Sequence, residues 1–374
     1  MVVQSAACGV GAVRVVFRTD ASIQIGSGHV MRCLALAEAL RIKGASCSFI
    51  CRLHSGHLVD HIRFKGFDVY TLPLVKKVKG DGESHPYAYW LGASQAEDAA
   101  ACVSVLKEIQ PDWLVVDHYG LDRQWEEITA PWARKCFVID DLANRPHSCD
   151  LLLDQNLGRV SECYKNRVQA DCKVLTGPSY ALLRSEFSGL RQFSISRRAE
   201  GLIEHILVSL GGVDDSDFTS QVLEALALSS LPLTVSIDIV MGAKSPHLQK
   251  VRKLAAKLPW STEVLVGVDD MATKMAKADF SIGAAGGTSW ERCCVGLPTI
   301  MIVMAENQVS GAKALASSES VILLDPELPI RAQLPAVVAS LMDGDLLQHM
   351  SWNALKVTDG EGTSRVIEHM RNLL

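Results

Sequence analysis

Short β-branched apolar runs alternate with stretches of helical spacing along most of this chain, and that alternation limits the fold more than any other feature. Residues 13–18 (VRVVFR) read as a strand. After a glycine-containing loop, residues 29–43 carry Val30, Cys33, Leu34, Ala37 and Leu40 at helical spacing, which stops at Gly44. Strands follow at 47–51, 68–72, 113–117 and 136–140, with helices at 98–109 and 122–132. Residues 154–200 break the rhythm, holding only a short strand-like piece at 173–175. It restarts with strands at 206–210, 234–240, 263–266, 280–282 and 299–303, with helices from about 216, at 247–257 and between the later strands. Such alternation implies parallel sheets covered on both faces. At 374 residues the chain suits two domains. The expected architecture is α/β, with two doubly wound, Rossmann-like domains facing a cleft. Residues 13–185 form the first and 205–374 the second, with a linker at 186–204 and an N-terminal extension at 1–12. The last helix is able to pack back on the first domain.

Composition narrows the function. Lys and Arg number 37 against 42 Asp and Glu, a net charge of −5 without a basic stripe, which excludes a general nucleic-acid binder. Charge-free runs such as 293–305 reach 13 residues, too few to span a bilayer. Eleven cysteines are scattered without a Cys-x-x-Cys, as in a reduced cytoplasmic protein, and no Lys or Arg precedes Arg14, so a secretory leader is not expected.

In doubly wound sheets ligands bind where strands lead through loops into helices, so the chemistry is sought there. The first such loop holds Gly26, Gly28 and His29 at the opening of a helix. Its glycines let the backbone approach a ligand, and an imidazole suits a general base near neutral pH, although a tight turn with a packed histidine would look the same. The loop SLGGVDD, with Gly211 and Gly212, either cradles a phosphate or simply turns the chain. In GAAGGTSWE, the amides of Gly287, Thr288 and Ser289 suit a diphosphate, with Gly286 in the same substrate-binding loop, and Glu291 suits ribose hydroxyls; a Thr288–Glu291 capping box is the plainer alternative. Asn307 and Gln308 follow the strand PTIMIV, where side-chain amides can orient water or sugar groups. The run Asp117–Gly120 is taken as a hydrogen-bonded loop shaping the cleft. Two metal sites are weighed and set aside. His54, His57 and His61 lack a completing ligand and straddle Ser55-Gly56, and Asp140-Asp141 is expected to pair with Arg145.

Taken in order, FRTDASIQIGSGHVMRCLALAEAL, VVDHYGLD, VIDDLANRPHSCDLLLDQN, GPSYALLRSEF, SLGGVD, GAAGGTSWERCCVGLPTI and ENQ closely resemble the nucleotide-sugar hydrolases of pseudaminic acid biosynthesis, which act on UDP-2,4-diacetamido-2,4,6-trideoxy-β-L-altropyranose. The resemblance runs from about Val13 to the C-terminus. It implies a glycosyltransferase-B-like fold with water as acceptor, and hydrolysis of the sugar–phosphate C–O bond with inversion, without metal or other cofactor. It also implies His29 as the base, Glu291 and Arg184 in contact with substrate, and Asn307 beside the sugar. The residue chemistry agrees, since a departing diphosphate needs fixed positive potential rather than an acid, and a base across the ring explains inversion. The expected partner is a UDP-sugar, with neither nucleic acid nor membrane. The rival enzyme is an inverting glycosyltransferase in which His29 activates an acceptor hydroxyl; a non-catalytic nucleotide-sugar binder is the rival of another class.

Overall fold

A computed structural model describes residues 12–75, 86–199 and 201–374. Residues 1–11 of the expected N-terminal extension lie outside the described residues. Strands β1 (Arg14–Thr19), β2 (Ser46–Arg52), β3 (Asp68–Leu72), β4 (Trp113–Asp117), β5 (Lys135–Ile139), β6 (Leu151–Asp154) and β7 (Lys173–Thr176) form a parallel sheet in the order β3-β2-β1-β4-β5-β6-β7. A second parallel sheet contains β8 (His205–Ser209), β9 (Ser236–Met241), β10 (Ser261–Val266), β11 (Phe280–Ala284), β12 (Thr299–Ile302) and β13 (Val321–Leu323), in the order β10-β9-β8-β11-β12-β13. Both orders reverse beside their first strand, which creates a switch point between β1 and β4 and another between β8 and β11.

Parallel neighbours need crossovers, and helices supply most of them. Around the first sheet lie α1 (Gly28–Ile42), α2 (Val59–Phe64), α3 (Gln95–Ile109) and α4 (Arg123–Thr129). Next comes α5 (Ser185–Arg198). Around the second sheet lie α6 (Phe218–Leu226), α7 (Leu248–Ala255), α8 (Met271–Lys277), α9 (Thr288–Cys294), α10 (Val309–Ser317), α11 (Ile330–Leu341) and α12 (Gly344–Val357), and α13 (Gly362–Leu373) ends the chain. No helix among the described residues is long and apolar enough to cross a membrane.

Strand alternation divides each core in two. On β1, Val15 and Phe17 share a cluster with Val30, Cys33 and Leu34 of α1 and with Val366, Ile367 and Met370 of α13, so the last helix packs against the first sheet. Val16 points the other way, to Leu106 of α3 and Trp125 of α4. In the second sheet Ile206 and Val208 meet α6 and α11, while Leu207 shares a cluster with Met275 of α8 and Trp290 of α9. Each sheet is thus buried on both faces, as its continuous apolar strands require.

The stretch 154–200 departs from its expected irregularity. The short strand-like piece expected at 173–175 is β7, but residues 186–198, read from sequence as the start of a linker, lie in α5. This helix escapes a hydrophobic pattern because it is anchored by polar groups. Arg191 donates to the carbonyls of Cys294, Leu355 and Thr358, Ser194 to Val295, and Arg198 to Met275, Ala278, Val295 and Gly296. Helix α3 begins three residues earlier than its apolar spacing suggests, because a reciprocal Ser94–Glu97 capping box starts it.

Candidate active site

The first switch point assembles around Asp117, the last residue of β4. Trp113 and Val115 face α1, so by strand alternation Asp117 faces α1 as well. Helix α1 presents His29, Arg32 and Cys33 at the i, i+3 and i+4 spacing that places side chains on one face. Asp117 is buried. Its Oδ1 lies 2.6 Å from His29 Nδ1 and accepts Arg32 Nη2 at 2.7 Å, while Oδ2 accepts Arg32 Nε at 2.6 Å and Cys33 Sγ at 3.5 Å. Burial alone would raise this carboxyl, but the Arg32 guanidinium and His29 outweigh it and hold Asp117 well below the usual range. An ionised carboxylate only accepts, so Nδ1 carries a proton, and in the neutral imidazole the lone pair is on Nε2. Nε2 has no hydrogen-bond partner among the described residues.

The network continues outward. Arg32 Nη1 reaches Asp141 Oδ2 at 2.7 Å, and Tyr119 donates its hydroxyl to the same oxygen at 2.6 Å. The Tyr119 ring meets His29 edge-on at 4.5 Å, with Trp90 at 6.2 Å. His29 is therefore held by a carboxylate and walled by aromatics while keeping 8% of its surface exposed. Asp117, read from sequence as part of a loop that shapes the cleft, grips the imidazole directly. Its neighbour His118 is packing: burial pushes it down to about 3, and its Nδ1 accepts the Gly120 amide at 2.9 Å. Gly26 turns back to donate to the Ser22 carbonyl at 2.9 Å, and Gly28 is the first residue of α1.

The weighed metal sets do not form. Only His61 of the three histidines is helical, since α2 starts at Val59; His54 points to Asp20 at 3.6 Å, and His57 accepts the Val59 amide at 3.3 Å. Asp140 pairs with Arg145 at 2.7 Å, whereas Asp141 turns to Arg32 and Tyr119.

The second switch point gathers the glycine loops. After β8, Gly211 holds φ +87°, a conformation that favours glycine, and Gly212 accepts the Gly242 amide at 3.0 Å. After β11, Ser289 N bonds Gly286 O at 2.8 Å and Trp290 N bonds Gly287 O at 3.2 Å, while the amides of Gly287 and Thr288 find no backbone acceptor among the described residues. The Thr288–Glu291 capping box is absent: Gly287 occupies the cap position without a side-chain bond, and Thr288 Oγ1 accepts from Arg292 at 3.3 Å. Burial raises the Glu291 carboxyl, opposed by Arg184 and Arg292. Arg184 Nη2 lies 3.8 Å from Glu291 Oε1, and its Nη1 donates to the Asp269 carbonyl at 3.3 Å. Gln308 accepts the Met304 amide at 2.9 Å, and its Nε2 lies 3.8 Å from where a Cβ on Gly286 would stand. Asn307 is exposed on the turn before α10.

The expected residues therefore form two sets. Gly26, Gly28 and His29 lie at the first sheet, whereas Arg184, Gly211, Gly212, Gly286–Glu291, Asn307 and Gln308 lie at the second. No hydrogen bond or ion pair joins His29 to the second set among the described residues. Asn156 stands between them, donating to the Asp141 carbonyl at 3.2 Å, with its Oδ1 3.8 Å from where a Cβ on Gly311 of α10 would be.

Residues 205–363 match the glycosyltransferase family 28 C-terminal domain. Over 304 residues the chain is 28% identical to the UDP-2,4-diacetamido-2,4,6-trideoxy-beta-L-altropyranose hydrolase of Campylobacter jejuni subsp. jejuni serotype O:2, covering 81% of this chain and 96% of the relative. It is 27% identical over 168 residues, 44% of this chain and 45% of the relative, to the UDP-N-acetylglucosamine–N-acetylmuramyl-(pentapeptide) pyrophosphoryl-undecaprenol N-acetylglucosamine transferase of Thiobacillus denitrificans. The crystal structure of Acinetobacter baumannii MurG superposes with a TM-score of 0.69 at 17% identity, covering 96% of this chain and 99% of that one. The fold is that of the glycosyltransferase-B proteins.

Proposed function

We propose that this protein is a nucleotide-sugar hydrolase that cleaves the sugar–phosphate C–O bond of UDP-2,4-diacetamido-2,4,6-trideoxy-β-L-altropyranose with inversion, without metal, releasing UDP and free 2,4-diacetamido-2,4,6-trideoxy-L-altrose. The observation that carries this reading is the His29–Asp117 pair, with Nε2 free, in a chain that spans 96% of a UDP-sugar hydrolase. His29 Nε2 takes a proton from water while the water oxygen bonds the anomeric carbon. The bond from that carbon to the phosphate oxygen breaks, and UDP departs with its electron pair. Asp117 steadies the imidazolium through Nδ1, and the proton then passes to solvent. Attack from the face opposite the leaving group inverts the centre, as in glycosidases that place a base across the ring.

Residues 205–374 hold the nucleotide in this scheme. The free amides of Gly287 and Thr288 and the hydroxyls of Thr288 and Ser289, with the Gly286 turn and with Gly211 and Gly212, take the diphosphate. Glu291 accepts from ribose hydroxyls and is steadied by Arg184. Asn307 and Gln308 orient the sugar and the water. Residues 13–185 supply the base, and Gly26 and Gly28 allow close approach beside it. Closure of the two halves on substrate brings the sets together and excludes bulk water.

An inverting glycosyltransferase is the second reading, favoured by the family 28 match and by the similarity to the N-acetylglucosamine transferase. Incubation of the protein with the diacetamido UDP-sugar in ¹⁸O water, without acceptor, separates the two. Stoichiometric UDP release with the label on the sugar is the expected result. Turnover only when an acceptor is added makes it a transferase, and binding without turnover under either condition makes it a nucleotide-sugar binder.

A further inference from the structure

Arg292 is an anomaly among the buried arginines. Only 2% of its surface is exposed, it forms no ion pair among the described residues, and its Nε has no hydrogen-bond partner. Arg198, also without a carboxylate in ion-pair contact, is fully used: Nε, Nη1 and Nη2 all donate to backbone carbonyls. Arg292 has one short bond, Nη2 to Ala284 O at 2.6 Å, and two longer ones, Nη1 to Thr288 Oγ1 at 3.3 Å and Nη2 to Ser289 Oγ at 3.2 Å. Burial pulls it down to about 10, with Cys293 and Glu291 opposing, which still leaves it charged at neutral pH. A buried charge without a counter-ion is costly, so its persistence calls for a partner.

Its location identifies that partner. Alternation along β11 turns Gly283 toward α9, and the guanidinium occupies the space there; a Cβ at Gly283 would overlap Nη1. The charge therefore lies beneath the end of the central strand, at the β8–β11 switch point. Guanidinium nitrogens only donate, so Thr288 Oγ1 and Ser289 Oγ must accept from it. Neither hydroxyl donates to any other group among the described residues, so both protons remain to be given. Thr288 is exposed at the loop surface.

We propose that Arg292 is a positioning residue for a nucleotide diphosphate: it turns the hydroxyl protons of Thr288 and Ser289 toward the anion, whose negative charge completes the pairing of the buried guanidinium. This rests on the assignment of the Gly286–Ser289 loop to the diphosphate. It makes Arg292 sensitive to phosphate charge and indifferent to the nucleoside.

Calorimetric titration of the full chain with uridine, UMP and UDP tests it. Wild type binds UDP more tightly than uridine. Arg292→Gln weakens UDP about ten- to hundredfold and leaves uridine within about twofold. Arg292→Lys, which keeps the charge without the fork, recovers part of the UDP affinity. Thr288→Val weakens UDP several-fold by itself. Equal loss of uridine and UDP in Arg292→Gln, or undiminished UDP binding, overturns the proposal. If that variant does not fold, Thr288→Val and Ser289→Ala decide, and unchanged UDP affinity in both overturns it. A wild-type protein that binds UDP no better than uridine instead removes the diphosphate assignment on which the proposal stands.

Discussion

Replacing Asp117 by Asn probes the dyad with little change of volume. The carboxylate serves His29 Nδ1 at 2.6 Å and Arg32 at 2.6 and 2.7 Å. An amide has one oxygen and one NH₂. If the oxygen stays with Arg32, which can only donate, the NH₂ faces His29 and Nδ1 must accept. The imidazole proton then moves to Nε2, the nitrogen that receives the proton of water in the proposed reaction. Turnover should fall by about 10²–10⁴, the range for losing a general base or its correct tautomer, with KM within about threefold. Breaking a buried ion pair costs about 3–5 kcal/mol when a charge is left uncompensated. Arg32 keeps Asp141 at 2.7 Å and is partly exposed, so a loss of about 2 kcal/mol is expected. Asp117 is held below its unfolded value, so its stabilising contribution is full above about pH 4 and is lost as pH falls through the lowered native value. The stability gap between wild type and variant should therefore narrow between pH 7 and pH 3. Steady-state UDP release, ¹⁵N shifts of the His29 ring and urea melts at pH 7 and pH 3 measure the three effects. A turnover within threefold of wild type, or a ring still protonated at Nδ1, would refute the reasoning.

His29→Asn should lose about 10²–10⁴ in turnover with substrate affinity largely kept, and near-normal rates would remove it as the base. Glu291→Ala should mainly weaken UDP; unchanged affinity would end the ribose assignment. Because burial raises the Glu291 carboxyl, acidification should weaken UDP binding to wild type at higher pH than an ordinary glutamate would, and the difference between wild type and Glu291→Ala should shrink as the group protonates. UDP release should be unaffected by EDTA, whereas strong inhibition reversed by Mg²⁺ would return attention to Asp140 and Asp141.

Much of the frame was legible because hydrophobic periodicity is a local signal. Strands β1, β4 and β8 and helix α1 lie within one or two residues of where apolar spacing places them, and β-branched runs that want burial on both faces imply a parallel sheet. The glycine loops were visible for the same reason, since a strand, a glycine turn and a helix start are contiguous in the chain. Helix α5 was not, because it is held by arginines that reach carbonyls of distant segments and carries little apolar pattern.

The site's charges belong to the tertiary structure. His29 and Asp117 are 88 residues apart and meet only because β4 pairs with β1, a neighbour it does not follow in sequence. Asp140 and Asp141 are adjacent yet serve different networks, since successive residues leaving a strand end diverge. Arg292 looks like an ordinary helical arginine until the space above Gly283 shows that its charge is buried with no ion-pair partner among the described residues. Periodicity specifies which face of an element is apolar; which buried charge meets which depends on strand order and long-range register, and a local pattern does not encode those.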